Sequence, residues 1–87
     1  MQISEIQILP IKSQDGLVAF ASIVLNNQLF LGSIGIYKRL DGKGYRITYP
    51  TKKVGNKSIN IFHPINKEAG AEIERTILDK AEQILGI

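Results

Sequence analysis

An α+β fold, an antiparallel β-sheet of about five strands with a C-terminal amphipathic helix packed on one face, is predicted by three features of the sequence. Short apolar runs separated by Gly, Asn and Asp fill residues 2–62, the pattern of strands joined by turns. Near the end the spacing changes to steps of three and four, with Ile73, Ile77, Leu78, Ala81, Ile84 and Leu85 on one stripe. The chain of 87 residues, 44% hydrophobic and 22% charged, is long enough for one core and too short for two, so 1–87 reads as a single domain.

The first strand occupies residues 2–10, where Ile6 and Ile8 share a phase with Pro10 while Ile3 and Leu9 fall on the other, so its register stays open. Ser13-Gln14-Asp15-Gly16 is the turn. "LVAFASIVL" (17–25) is apolar on both phases and reads as an interior strand covered on both sides. Asn26-Asn27 supply the positive backbone angles of a hairpin into a third strand, 28–38, in which Gly32 and Gly35 signal a bulge or a close backbone approach. After the turn at 40–44, Tyr45, Ile47 and Tyr49 alternate with Arg46 and Thr48, and Pro50 ends that ladder for want of an N–H. "TKKVGNK" (51–57) then reads as an exposed basic loop leading to a short last strand, 58–62, with Ile59 and Ile61 on one buried face. The helix follows, with Asn66 as N-cap, Glu68 at the positive end of its dipole, and Gly86 as its stop. Its stripe is expected to hold the core through Ile73, Ile77 and Ile84.

Composition excludes several functions. The chain has no cysteine, hence no thiolate metal site, thiol nucleophile or disulfide scaffold. His63 is the single histidine, without a carboxylate cluster, and its expected role is to hold the corner beside Pro64 through a hydrogen bond to nearby backbone. Asp15 and Asp41 each precede a turn glycine, and "GKG" (42–44) lacks the length and the Ser or Thr of a P-loop. No nucleophile, base and oxyanion site assemble, so the chain is expected to be no enzyme and to need neither cofactor nor metal. With no cationic leader before an apolar run and no apolar stretch near ~18 residues, a soluble, cytoplasmic protein is expected.

Charge is unevenly placed. Lys12 stands against Glu5 and Asp15 in residues 1–37, and the helix carries more acids than bases. Residues 38–57 instead hold Lys38, Arg39, Lys43, Arg46, Lys52, Lys53 and Lys57 against Asp41 alone. Such a segment either keeps a sheet edge soluble or forms a phosphate-binding surface. If Lys43, Arg46, Lys52 and Lys53 gather, they make one cationic strip suited to backbone contacts.

"AFASIVLNNQLFLGSIGIY", "YPTKK" and "INIFHPIN" before an amphipathic helix, in this order and spacing, resemble the SpoVG family of septation regulators, also called stage V sporulation protein G. The likeness spans residues 2–85. It implies a small dimeric α+β protein without catalysis that binds DNA and, in some members, RNA, and that regulates division, sporulation or virulence genes. The family's basic loop maps onto Pro50, Thr51, Lys52 and Lys53, which makes Lys52 and Lys53 the first candidates for nucleic-acid contact, with Thr51, Arg46, Lys43 and Lys57 beside them. Thr51 and Lys53 stand where the family commonly has Ser and Arg, and a point charge in place of a guanidinium fork weakens bidentate contacts. The second reading is a protein-interaction module of the division machinery, its basic segment meeting acidic proteins. A homodimer is expected on either reading, because one helix covers one sheet face while strand 17–25 is apolar on both.

Overall fold

The computed structural model describes residues 1–86; Ile87 lies outside them. Four strands, β1 (Ile3–Gln14), β2 (Leu17–Leu25), β3 (Leu29–Lys38) and β4 (Tyr45–Thr48), form an antiparallel meander in sequence order. The strands β5 (Thr51–Val54) and β6 (Lys57–Asn60) form a separate two-stranded sheet, and α1 (Lys67–Leu85) closes the described chain. The α+β architecture is the one the sequence predicts. The strand count differs: the segment 51–57 is a strand and hairpin turn rather than a loop.

The core lies between one face of the sheet and the helix. Ala19, Ala21 and Ile23 are buried on one face of that strand, and Ile34 and Ile36 of β3 are buried beside them. Against this surface α1 places Ile73, Ile77 and Ala81, and no polar side chain is buried among the described residues. The helix backbone comes nearest to β1 and β4 at the two sides of the sheet, and the isoleucines fill the space over β2 and β3 between them.

The register resolves the open phase of β1. A bulge between Ile3 and Glu5 brings Ile3, Ile6 and Ile8 against the core together, while Leu9 pairs with Phe20 on the other face. Pro10 sits opposite Ala19, which is tolerated because β1 is an edge strand. Asp15 and Gly16 have positive φ (54° and 89°) and make a two-residue turn between the paired Gln14 and Leu17. Asn26 and Asn27 likewise have φ of 53° and 54°, and Asn26 ties the N-terminal segment down: its N–H donates to Gln2 O (2.7 Å) and its Oδ1 accepts from Gln2 N–H (2.9 Å).

Of the two readings of the β3 glycines the bulge holds, and Gly35 is crowded by side chains rather than by another backbone. Ile34 pairs with Ala21 but Leu31 with Ile23, so Gly32 and Ser33 bulge opposite Ser22, with Ser33 at φ 61°. At Gly35 a Cβ would lie 2.8 Å from Thr48 Oγ1 and 3.3 Å from a Leu17 methyl, so the neighbouring strands close over it.

On β4 and just beyond it, Tyr45, Ile47 and Tyr49 pack against the core, as their alternation predicts. The Tyr45 hydroxyl donates to Gly86 O at 2.5 Å, and Tyr49 meets Phe62 edge-on with ring centroids 6.0 Å apart. Burial, and then the negative charge of Glu74, hold the Tyr49 phenol above its ordinary value. Asn66 Oδ1 caps α1 by accepting from Ala69 N–H at 2.8 Å. His63 Nδ1–H donates to Pro64 O at 3.0 Å, the corner role expected of it.

Two side-chain assignments are corrected. Ile59 and Ile61 are 52% and 63% exposed, and Phe62 is the residue of that segment that packs inward. Ile84 lies on the apolar stripe by its period yet is 46% exposed, because it borders an open groove of about 680 Å³ while Leu85 beside it packs against the core.

This division predicts unequal stability losses in urea unfolding. Ile77→Ala, at full burial, is expected to cost about 2 to 5 kcal/mol. Ile84→Ala is expected to cost about 1 kcal/mol, and Glu74→Ala less than about 0.5 kcal/mol. Equal losses at Ile77 and Ile84 would show that the helix seats differently.

Candidate nucleic-acid interface

The basic segment 51–57 acquires its shape from a two-residue turn. Val54 pairs with Lys57, leaving Gly55-Asn56 as the connection, and Gly55 has φ 63° while Asn56 does not enter the left-handed region. A positive φ at the first central position alone is the type II′ pattern, whose twist matches that of flanking strands. Beyond the turn, Lys53 pairs with Ser58, Lys52 with Ile59, and Thr51 with Asn60; Ile61 N–H donates to Pro50 O at 2.8 Å and closes the base.

Cross-strand partners share a face, so the register divides this ribbon in two. Thr51, Lys53, Ser58 and Asn60 lie on one face, and Lys52, Val54, Lys57 and Ile59 on the other. Every residue of both strands is exposed. The ribbon therefore stands clear of the core, and its lysines take part in no ion pair among the described residues. No acidic residue occurs between Asp41 and Glu68, so the cationic field of the arm is uncompensated within its own sequence.

Of the six sequence-predicted residues, the structure brings Thr51, Lys52, Lys53 and Lys57 onto this one element. Lys52 and Lys53, adjacent in sequence, nonetheless point to opposite sides. Arg46 is exposed on β4 with its guanidinium 4.6 Å from the Tyr37 ring centroid, a cation–π contact that aligns the fork on the sheet. Lys43 is held in the β3–β4 turn, where its N–H donates to Asp41 Oδ1 at 2.9 Å. It precedes β4 and the ribbon follows it, so a strand of about 13 Å lies between them. Arg39 is bridged to Asp41 at 3.7 Å, an exposed pair. Ser58 and Asn60 were not singled out by sequence, and both belong to the ribbon's polar face. Gly55-Asn56 between two four-residue runs was the signal that could have placed them.

Among the described residues no helix is long and apolar enough to cross a membrane.

Fold and arm together define a small α+β domain that carries a cationic β-ribbon outside its core. The sequence profile of the SpoVG family matches residues 1–83, and the chain belongs to that family. It is 31% identical over 85 residues to a protein of Acetivibrio thermocellus named "Putative septation protein SpoVG", covering 97% of this chain and 88% of that one. A Clostridium perfringens protein of the same name is 30% identical over 86 residues, covering 97% of this chain and 92% of its own. A Finegoldia magna protein, again so named, is 30% identical over 82 residues, covering 92% and 73% respectively.

Because the ribbon rests on its own turn and not on the core, Gly55→Val is expected to loosen it alone. A β-branched residue at positive φ is strained. Amide exchange should rise across residues 51–60 while the thermal midpoint and the protection of β2 stay near their original values. Loss of β2 protection in step would show that the ribbon is part of the cooperative core.

Proposed function

We propose that this chain is a non-catalytic regulator that binds nucleic acid, DNA and also RNA, and serves in septation as its relatives' names indicate. It works in the cytoplasm as a homodimer. The observation that carries the reading is the ribbon itself: three lysines on an element that contributes no buried side chain and has no acid near it in sequence. A cationic arm of that kind gains by meeting phosphate, since each neutralised phosphate releases condensed counterions. Arg46, exposed on β4, adds a fork of the shape that phosphate accepts bidentately.

The dimer reading is supported by the sheet face opposite the helix. Leu9 and Phe30 are each 66% exposed there and Phe20 36%. An apolar area of this kind on a small domain is stabilised by being covered, and a second copy of the chain supplies an equally apolar surface by symmetry. Light scattering at tens of micromolar is expected to give twice the 9.7 kDa chain mass; a mass near one chain removes the dimer.

One observation favours the second reading, a protein-interaction module of the division machinery. Val54 and Ile59 lie between Lys52 and Lys57 on one ribbon face, both half exposed, and apolar side chains among cations suit an acidic protein partner. Salt dependence separates the two. Replacing Lys52 and Lys53 together by Ala is expected to leave the thermal midpoint nearly unchanged and to lower the slope of log affinity against log salt for duplex DNA by about 2, near 0.9 per contact. A folded double variant that keeps both affinity and slope would transfer the ribbon to the protein-interaction reading.

A further inference from the structure

The β3–β4 turn, at the end of β4 away from the ribbon, has a chemistry of its own. Gly42 N–H donates to Arg39 O and Arg39 N–H to Gly44 O, both at 3.0 Å, while Gly42 and Gly44 take φ of 74° and 92°. Backbone alone thus closes the turn, and Leu40 stands on its outer corner. It is fully exposed, more so than any other large apolar side chain among the described residues. That corner of a β-turn favours proline, and no contact in the fold calls for a leucine there. Exposed cations flank it: Lys38, Arg39, Lys43 and Arg46. Arg39, Leu40, Asp41 and Arg46 line one shallow cleft of about 350 Å³.

Independently of the ribbon and its partner, we infer that this turn docks on an anionic lipid bilayer, Leu40 entering the boundary between headgroups and acyl chains while the flanking cations hold lipid phosphates. The combination of groups selects the occupant. An apolar side chain among cations fits a surface that carries anions over an apolar layer, and peripheral membrane binding grows with exactly those two contributions, apolar burial and attraction to anionic lipid. A nucleic acid presents phosphates with no apolar layer beneath them, so it would leave Leu40 in water.

Geometry also assigns roles at the turn. The Arg46 guanidinium is steadied 4.6 Å over the Tyr37 ring, and among the described residues no carboxylate pairs with it, so its fork is free to take a phosphate bidentately. Arg39 is held only by the exposed 3.7 Å pair with Asp41. Asp41 is itself engaged by Lys43 N–H at 2.9 Å and serves the turn's shape. The other acid at this end is Asp15, since Lys38 N–H donates to Gly16 O at 2.9 Å and brings the β1–β2 turn alongside. Four cations against these two carboxylates leave the end positive. Lys38 and Lys43, on flexible stems, reach neighbouring headgroups as point charges. One leucine and a few cations give weak, reversible attachment, and β4, a strand of about 13 Å, keeps the ribbon apart from it.

The chain contains no tryptophan, so Leu40→Trp places a single fluorescent reporter at the corner. Thermal midpoints establish that each variant is folded. Vesicles of phosphatidylcholine alone, and of phosphatidylcholine mixed with phosphatidylglycerol, are titrated at low salt and followed by co-sedimentation and tryptophan emission. Wild type is expected to co-sediment with the anionic vesicles only, and the emission of Leu40→Trp to shift to the blue on them and to be quenched by brominated acyl chains. Arg39→Ala and Lys43→Ala should each lower the partition constant about 5-fold. Leu40→Ser should lower it with the salt dependence unchanged. Duplex DNA affinity should stay at its original value in Arg39→Ala and Leu40→Ser, and the blue shift of Leu40→Trp should survive replacement of Lys52 and Lys53 by Ala. The inference is overturned if wild type does not co-sediment, if the reporter stays in water while the protein is vesicle-bound, or if the ribbon variant is the one that abolishes binding. It is overturned equally if soluble glycerol phosphate shifts the reporter as the vesicles do, which would make the cleft a free-phosphate site, or if the turn variants lose DNA instead of vesicles. Loss of the nucleic-acid reading, seen as no DNA binding by wild type, is read in a separate titration and leaves the vesicle result standing.

Discussion

The burial of one sheet face under α1, whose backbone rests nearest β1 and β4, is the constraint from which the remaining structure follows. Ala19 and Ala21 leave room, and Ile73, Ile77 and Ala81 occupy it from above while Ile34 and Ile36 fill it from the side. Once that face is committed, the alternation of a strand dictates that Phe20 and its partner Leu9 point the other way. The bulges at Ile3–Glu5 and at Gly32–Ser33 then serve the same end: each shifts a strand's phase so that more of its large aliphatic residues reach the helix side. Closure over Gly35, where Thr48 and Leu17 crowd the space a side chain would need, brings β3 close against its neighbours.

A core satisfied by four strands and one helix leaves β5 and β6 with nothing to bury. That freedom has a functional side. Residues on a packed strand are restricted to one polar face, whereas a ribbon standing clear can present two faces of different character. In this chain one is uniformly hydrogen-bonding and the other combines cations with Val54 and Ile59. The base of the arm is nonetheless fixed by Pro50, whose carbonyl accepts from Ile61 N–H, and by the Tyr49 and Phe62 rings that pack on each other just inside it. Its direction is thus set by the core while its surface is not.

Much of the fold was legible in the sequence because burial imposes period. The Asn26-Asn27 turn, the alternation of Tyr45, Ile47 and Tyr49, and the Asn66 cap each correspond to an observed contact or angle, whereas residues 17–25, read as covered on both sides, are buried only on the Ala19, Ala21 and Ile23 phase and leave Phe20 exposed. The β3 glycines signalled a bulge or a close backbone approach, and the strand has the bulge, while side chains rather than backbone crowd Gly35. Where burial is absent the pattern fails. Thr51–Val54 and Lys57–Asn60 alternate in no hydrophobic sense because neither face is buried, so the run read as a loop although Gly55-Asn56 carried the turn signal. Ile84 was misplaced for the converse reason, since helical period reports which side a residue faces and not whether anything lies there. Of the candidate site, the residue identities were legible from charge, but the opposition of Lys52 and Lys53 and the participation of Ser58 and Asn60 depend on a register that only the hairpin defines.

The central claim is that recognition belongs to an arm which the fold displays but does not need. Titrating isotope-labelled protein with duplex DNA and following every backbone amide by NMR tests it most directly. The account predicts that shifts concentrate in residues 51–60, extend to Arg46, and spare the helix and the buried face of β2. Shifts centred on α1, or on the Leu9, Phe20 and Phe30 surface with the ribbon unmoved, would contradict it.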